Sequence, residues 1–162
     1  MADAKILVAS DSAMAQIRVI GRTTFTCSPS LRDFGLKMIA DAVSKIVIDL
    51  SECEGMDSTF MGVLAMIGRR GHEKEIAVEI VNVGGAQKKL LDALGLRNLF
   101  TFSRTAADQV NWVSLCNTEA VDPPAKTMLE AHETLMEVDA DNIPKFKDVV
   151  EFLKEDIRKL ES

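Results

Sequence analysis

The sequence predicts an α/β fold in which helices pack against a mostly parallel sheet. Residues 46–50 form a short β-branched apolar run, which is typical of a buried strand. The polar segment 51–55 is predicted to be a turn, and the triplet Asp57-Ser58-Thr59 then leads into an apolar helical run. From residue 29 onward, strand-like and helix-like segments alternate, and this alternation is typical of layered folds with parallel strands.

The remaining elements of the predicted domain follow from local patterns. Residues 6–8 and 13–20 are expected to pair as a hairpin, because residues 13–20 alternate between apolar and polar side chains. Pro29 opens the first helix, whose apolar positions recur at helical spacing. The later segments are predicted to be a helix from Ser58 to Gly71, a strand over 76–81, a helix between Gly84-Gly85 and Gly95, a short strand over 99–102 and a helix over 106–115.

The segment Asp122-Pro123-Pro124 marks a boundary, since paired prolines end a helix and stiffen a linker. We predict a domain over residues 1–117 and an acidic helical extension over 118–162. The extension is expected to be a helical hairpin, with one helix over 125–138 and a second capped by Asn142. Its apolar stripe needs a covering surface, which the domain, a second copy in a homodimer or a partner could supply. Folding back onto the domain is expected, because an isolated hairpin would leave the stripe in water.

The net charge of −6 comes from the extension alone. Residues 1–117 contain 13 basic and 13 acidic side chains, whereas residues 118–162 contain 6 and 12. A neutral domain with an acidic extension argues against nucleic-acid binding, which needs a basic face. No apolar stretch approaches the ~20 residues of a membrane helix, and no signal peptide is visible, so no membrane partner is expected. The three cysteines, Cys27, Cys53 and Cys116, lack a CxxC pair and are predicted to be reduced thiols in the cytoplasm.

Signatures of catalysis are nearly absent from the sequence. Its two histidines, His72 and His132, lie in different predicted units and away from other ligands at metal-binding spacing. Ser58 is not part of a GxSxG motif, and nothing local supports pairing it with His72. We therefore predict no enzymatic activity, no catalytic residues, no metal and no cofactor.

The stretch around Ser58 resembles the STAS domain, which is named for sulfate transporters and anti-sigma factor antagonists. The residues that carry the resemblance are Asp49-Leu50-Ser51, Met56-Asp57-Ser58-Thr59, Gly62 and Leu64. Gly21 and the run from Lys89 to Leu96 are similar to further motifs of the family, so the resemblance covers roughly residues 4–117. It implies a mixed sheet, mostly parallel with an antiparallel edge, with helices packed against it.

The resemblance also implies a function in bacterial signal transduction and transcription regulation. Anti-sigma factor antagonists of this type bind an anti-sigma serine kinase, which phosphorylates the serine after the aspartate, and a PP2C-type phosphatase reverses this step. Carried over to this chain, the phosphoacceptor of such a partner-switching phosphoprotein is Ser58. The implied partner-binding residues are Asp57, Thr59, Phe60, Met61 and Thr24.

Two positions depart from the family pattern, and two alternatives stay open. Phe60 replaces the usual glycine and Thr24 the usual acidic residue. Phe60 either faces the partner or, if it is buried, only repacks the core. Ser58 itself is either the phosphoacceptor or an unmodified N-cap, a role worth about 1 kcal/mol. The alternative function is a STAS-type scaffold or small-ligand-binding module without phosphorylation.

Overall fold

The computed structural model describes residues 4–23, 25–105, 110–115 and 124–161. These ranges contain six strands and five α-helices. The strands are β1 (Lys5–Ser10), β2 (Met14–Thr23), β3 (Lys45–Met56), β4 (Ala77–Val81), β5 (Thr101–Ser103) and β6 (Val113–Ser114), and the helices are α1 (Ser28–Ala40), α2 (Ser58–Glu73), α3 (Gly85–Ala93), α4 (Pro124–Val138) and α5 (Ile143–Glu161).

The strands form one mixed sheet in the order β5-β4-β3-β2-β1-β6. Strands β2 to β5 are mutually parallel, whereas β1 is antiparallel to both β2 and β6. Each connection between β2 and β5 joins a strand to its immediate neighbour in the sheet, always in the same direction across the sheet. Such connections between parallel strands are right-handed, so α1, α2 and α3 lie on one face of the sheet. The predicted sheet and the N-terminal hairpin are confirmed.

The helical extension folds back onto the helices that cover the sheet. Helix α4 packs on α2 and α1, and α5 packs on α4. Helix α2 is therefore buried on nearly all sides, with Leu64 and Ile67 fully buried. The apolar stripe of α5 is divided, because Val150 and Leu153 are buried whereas Leu160 is exposed. Within the described ranges, no helix is both long and apolar enough to cross a bilayer.

The predicted turn over residues 51–55 is wrong, because β3 continues to Met56. Strand β2 runs beside it and pairs Ile20 with Glu52 and Thr23 with Met56. Two register shifts in this pairing accommodate the polar segment within the strand. The Thr23 hydroxyl also donates to the Gly55 carbonyl at 3.2 Å. Hydrogen bonds from the neighbouring strand therefore outweigh the local turn preference of this polar segment.

Two predicted helix assignments are also corrected. The part of the 106–115 helix that the structure describes, residues 110–115, contains strand β6 instead, and residues 106–109 lie outside the described residues. Strand β6 pairs with the open edge of β1, and the Leu115 amide donates to the Ile6 carbonyl at 2.8 Å. Helix α2 does not end at Gly71 but continues to Glu73, and Gly71 instead lets the helix approach Val78 of β4.

The cysteines do not all match the prediction of reduced thiols. Cys53 is a buried free thiol, whereas Cys27 is disulfide-bonded. Cys27 was predicted to be a reduced thiol because the sequence has no CxxC pair. That pattern only excludes a bond between sequence neighbours, because folding brings distant residues together.

Asn142 connects the extension to the domain rather than serving as the predicted cap of α5. Its side chain is fully buried, and Nδ2 donates to the carbonyl of Leu94 at 2.9 Å and to that of Leu135 at 2.8 Å. Leu94 follows α3 and Leu135 belongs to α4. One amide group therefore satisfies two buried carbonyls, one from each part of the chain.

We predict that Asn142→Leu lowers the free energy of unfolding by about 1–3 kcal/mol, because it leaves the buried Leu94 carbonyl without its donor, whereas the Leu135 carbonyl keeps the amide of Asp139. Urea denaturation followed by circular dichroism measures this loss. The matched control is Asn98→Leu at an exposed position, which should change stability by less than about 0.5 kcal/mol. Equal effects of the two substitutions would show that the Asn142 bonds do not hold the extension.

Candidate functional site

Ser58 is the first residue of α2, and only Asp57 separates it from the end of β3 at Met56. The N-cap of this helix is Asp57, whose backbone is extended and whose Oδ1 accepts a hydrogen bond from the Phe60 amide at 2.8 Å. The N-cap alternative for Ser58 is therefore wrong. Because the Asp57 side chain supplies the cap, the Ser58 hydroxyl is available for another interaction.

The Ser58 hydroxyl contacts a histidine of the extension. Ser58 Oγ lies 2.9 Å from Nε2 of His132, and Nδ1 of the same ring lies 2.6 Å from the Met128 carbonyl oxygen. A carbonyl only accepts, so Nδ1 carries a proton and donates it to Met128. In the neutral ring, Nε2 is then the acceptor and the Ser58 hydroxyl donates to it.

Both helices of the extension position the imidazole ring. His132 belongs to α4 and is only 3% exposed. Phe146 of α5 packs edge-on against the ring, with 5.1 Å between the ring centroids. The backbone of α4 fixes one ring nitrogen and α5 restricts the tilt of the ring, so Nε2 is held facing Ser58.

The close approach of α4 to α2 depends on Gly62. A Cβ atom at this position would lie 2.5 Å from the backbone carbonyl oxygen of Ala131 and 2.6 Å from its Cβ. Any residue other than glycine at position 62 would therefore push α2 and α4 apart. Gly62 is one turn beyond Ser58, so the same contact sets the distance between Ser58 and His132.

Two ion pairs flank this contact. Arg32 of α1 reaches Glu130 of α4 at 2.9 Å, and Arg69 near the end of α2 reaches Glu137 at 2.6 Å. Arg32 is also paired with its neighbour Asp33 at 2.9 Å. The two pairs involving α4 therefore join it to both helices beneath it, one at each side of the Gly62 contact.

The structure places the remaining predicted site residues mostly below the surface. Asp57 is half-buried, as is Ser58, whereas Thr59 and Met61 are 3% and 5% exposed. Phe60 is fully buried, so it repacks the core, which is one of the two roles that the sequence left open. Thr24 lies outside the described residues.

Sequence reasoning missed His132, which is 74 positions from Ser58. His72 is exposed at the end of α2, and Ser58 pairs with His132 instead. The available signal was helical periodicity, because Met128, Ala131, His132 and Leu135 fall on one face of the predicted helix. To place that face next to Ser58, the prediction that the extension folds back onto the domain would also have been needed.

Within the part of the chain that the structure describes, the neighbours of the site add neither a reactive thiolate nor a metal-binding cluster. Burial raises the pKa of the Cys53 thiol, which favours the inert thiol over the reactive thiolate. Glu52 is paired with Arg18 at 3.1 Å on the neighbouring strand. Among the described residues, no cluster of three or more histidine, cysteine or acidic side chains could hold a metal ion. The site is a serine–histidine contact at a helix end, covered by a second helix.

Comparison with known families decides the relationship of this chain. The model of the family described as "Mlab, STAS domain" matches residues 6–101, which is more than half of the sequence. The chain belongs to the STAS domain family. Helices α4 and α5, and with them His132, lie outside the matched range, whereas Ser58 and Gly62 lie inside it.

Solved structures of anti-sigma factor antagonists share the fold of this STAS domain. An anti-sigma factor antagonist from Mycobacterium paratuberculosis is 25% identical, with a TM-score of 0.53, over 64% of this chain and 87% of that chain. The unphosphorylated form of the anti-sigma factor antagonist SpoIIAA is 15% identical, with a TM-score of 0.52, over 64% and 89%. The phosphorylated form of SpoIIAA, described as a Bacillus cell fate determinant, is 16% identical, with a TM-score of 0.53, over 63% and 91%. No curated protein matches the sequence.

We predict that Asp57→Ala lowers the free energy of unfolding by about 1 kcal/mol, because the Phe60 amide loses its capping acceptor. Asp57→Asn should retain most of the stability, because its amide oxygen can still accept that hydrogen bond. Urea denaturation of the three proteins measures the differences. Equal stability of the aspartate and alanine proteins would contradict the assignment of Asp57 as the cap and return that role to Ser58.

Proposed function

We propose that this STAS-domain protein is an anti-sigma factor antagonist that binds an anti-sigma serine kinase and is switched by reversible phosphorylation of Ser58. The observation that carries the proposal is the position of the Ser58 hydroxyl, which stands at the first residue of α2 and is not used to cap it. The hydroxyl is half-buried and instead hydrogen-bonds to Nε2 of His132. SpoIIAA, whose fold is similar, has been solved in unphosphorylated and phosphorylated forms.

The start of α2 is electrostatically suited to accept a phosphate. A phosphoserine carries about −1.5 to −2 charges at neutral pH. The positive end of the helix dipole stabilises that charge, and helix geometry leaves the amides of Ser58 and Thr59 without intrahelical acceptors. Phosphorylation is therefore expected to preserve the fold and to change the surface that a partner contacts.

The partner is expected to leave because of charge rather than unfolding. The new phosphate would lie beside the carboxylate of Asp57 and near the exposed Glu54, so negative charge would accumulate at the interface. In this proposal Asp57 contacts the kinase directly, whereas Thr59, Phe60 and Met61 support the helix end from below. Thr24 remains a predicted contact. The kinase and a PP2C-type phosphatase in the cytoplasm perform the chemistry, and this protein is not an enzyme.

Phosphorylation with ATP and the anti-sigma serine kinase encoded nearest to the gene tests the proposal. We expect one phosphate, assigned to Ser58 by mass spectrometry of the peptide over residues 46–69. Ser58→Ala should abolish the modification. Thr59→Ala, the matched control at the adjacent hydroxyl, should retain it.

Binding of the same kinase distinguishes the two functions left open by the sequence. Ser58→Ala should retain binding, whereas Ser58→Asp should weaken it about tenfold or more, because it adds a negative charge at the interface. Surface plasmon resonance measures both affinities. Equal affinities of the two variants would contradict the phosphoswitch and favour a STAS-type scaffold or small-ligand-binding module.

A further inference from the structure

A cleft lies between α1, α2 and α4, beside the C-terminal half of α2 and away from Ser58. Its volume is about 940 Å³, which is within the ~300–1,000 Å³ typical of pockets that hold small molecules. Part of its lining is apolar and comes from α1, α2 and the segments that follow them: Leu36, Ile39, Val43, Met66 and Ile76. Three of these side chains are buried and form a fixed surface, so the cleft can hold the apolar body of a small molecule.

Most of the charged side chains that line the cleft already have a partner of opposite charge. The pairs are Arg69–Glu137 at 2.6 Å, Arg70–Glu73 at 3.4 Å and Arg32–Glu130 at 2.9 Å. Two further lining residues, Lys74 and Glu75, are neighbours of opposite charge in the exposed turn after α2. The remaining lining charge is the carboxylate of Glu133, so the cleft has one negative charge in excess.

Glu133 is held at the cleft in a setting that favours a positively charged ligand. It lies on α4 between Glu130 and Glu137, three and four positions from them, so the three side chains share one side of the helix. Glu133 is half-buried, and within the described ranges its side chain forms neither an ion pair nor a hydrogen bond. Partial burial costs a carboxylate part of its hydration, and a cation beside it offsets that cost.

We propose that the cleft between α1, α2 and α4 binds a small organic cation with an apolar body, such as an alkylamine. The ammonium group pairs with Glu133, and the apolar body lies on Ile39, Val43 and Ile76. A fatty acid fits less well, because its carboxylate would meet the like charge of Glu133 while the arginines of the cleft are already paired. The site is separate from Ser58, so its occupancy requires neither a kinase nor a phosphate.

Three eight-carbon probes that differ only in their head group test the proposal: octylamine, octanol and octanoate. In an amide NMR titration of the full chain, octylamine should bind about fivefold more tightly than octanol, because only its ammonium group pairs with Glu133. Octanoate should bind more weakly than octanol. The amide signals that shift should belong to residues 39–43 and 66–76, which line the cleft. Shifts confined to the charged surface of α5 would show nonspecific attraction to an acidic helix and would overturn the proposal.

Glu133→Gln tests the charge, because it removes the carboxylate and keeps the size of the side chain. It should weaken octylamine binding about fivefold and change octanol binding by less than about twofold. Glu155→Gln is the matched control, at an exposed position of α5 that does not line the cleft, and should leave both affinities unchanged. Equal octylamine affinities of the unaltered and Glu133→Gln proteins would contradict the proposed recognition of a cation.

Ala40→Trp tests the cleft itself, because it places a bulky ring at an exposed lining position, the last residue of α1. It should weaken the binding of octylamine and of octanol about fivefold or more, because the ring takes up volume that the probes need. The matched control is Ala93→Trp, at the exposed last residue of α3 outside the cleft. Equal affinities of the two tryptophan variants, or no octylamine binding to the unaltered protein at millimolar concentration, would overturn the proposal.

Discussion

The contact between Gly62 of α2 and Ala131 of α4 is the constraint on which the rest of the site depends. It sets how closely the two helices approach, because a Cβ atom at position 62 would lie 2.5 Å from the Ala131 carbonyl oxygen. At this separation, Nε2 of His132 reaches the Ser58 hydroxyl, and the ion pairs on either side of the contact can close. A single glycine of the STAS domain thus determines how a helix from outside the matched range covers the candidate phosphoacceptor.

Helix capping and the proposed signalling role belong to neighbouring residues. Asp57 stabilises the start of α2, which leaves the Ser58 hydroxyl to contact His132. A phosphate on Ser58 would bring three further oxygen atoms into space that the buried imidazole now occupies. The imidazole ring of His132 therefore has to move away from the Ser58 hydroxyl before a phosphate fits there.

Local sequence patterns were sufficient where neighbouring parts of the chain decide the structure. The β-branched run over 46–50 predicted the first part of β3, and the alternation over 13–20 predicted β2, because each pattern records which side chains face the core. Patterns failed where a distant backbone supplied the hydrogen bonds. Residues 51–55 follow β2 rather than their own turn preference, and residues 113–114 complete the edge of β1. His132 could not be placed, because only the packing of helices brings it to Ser58.

The rate at which diethyl pyrocarbonate modifies His132, compared with exposed His72 in the same molecule, tests most directly whether α4 covers Ser58. The account predicts that His132 reacts about tenfold more slowly than His72, or slower still, in the unaltered protein, because its ring is released only when α4 opens. Gly62→Leu should bring the two rates within about twofold of each other, whereas Gly85→Leu, whose added Cβ meets no neighbouring atom, should leave His132 protected. Equal rates in the unaltered protein, or continued protection in Gly62→Leu, would contradict the account.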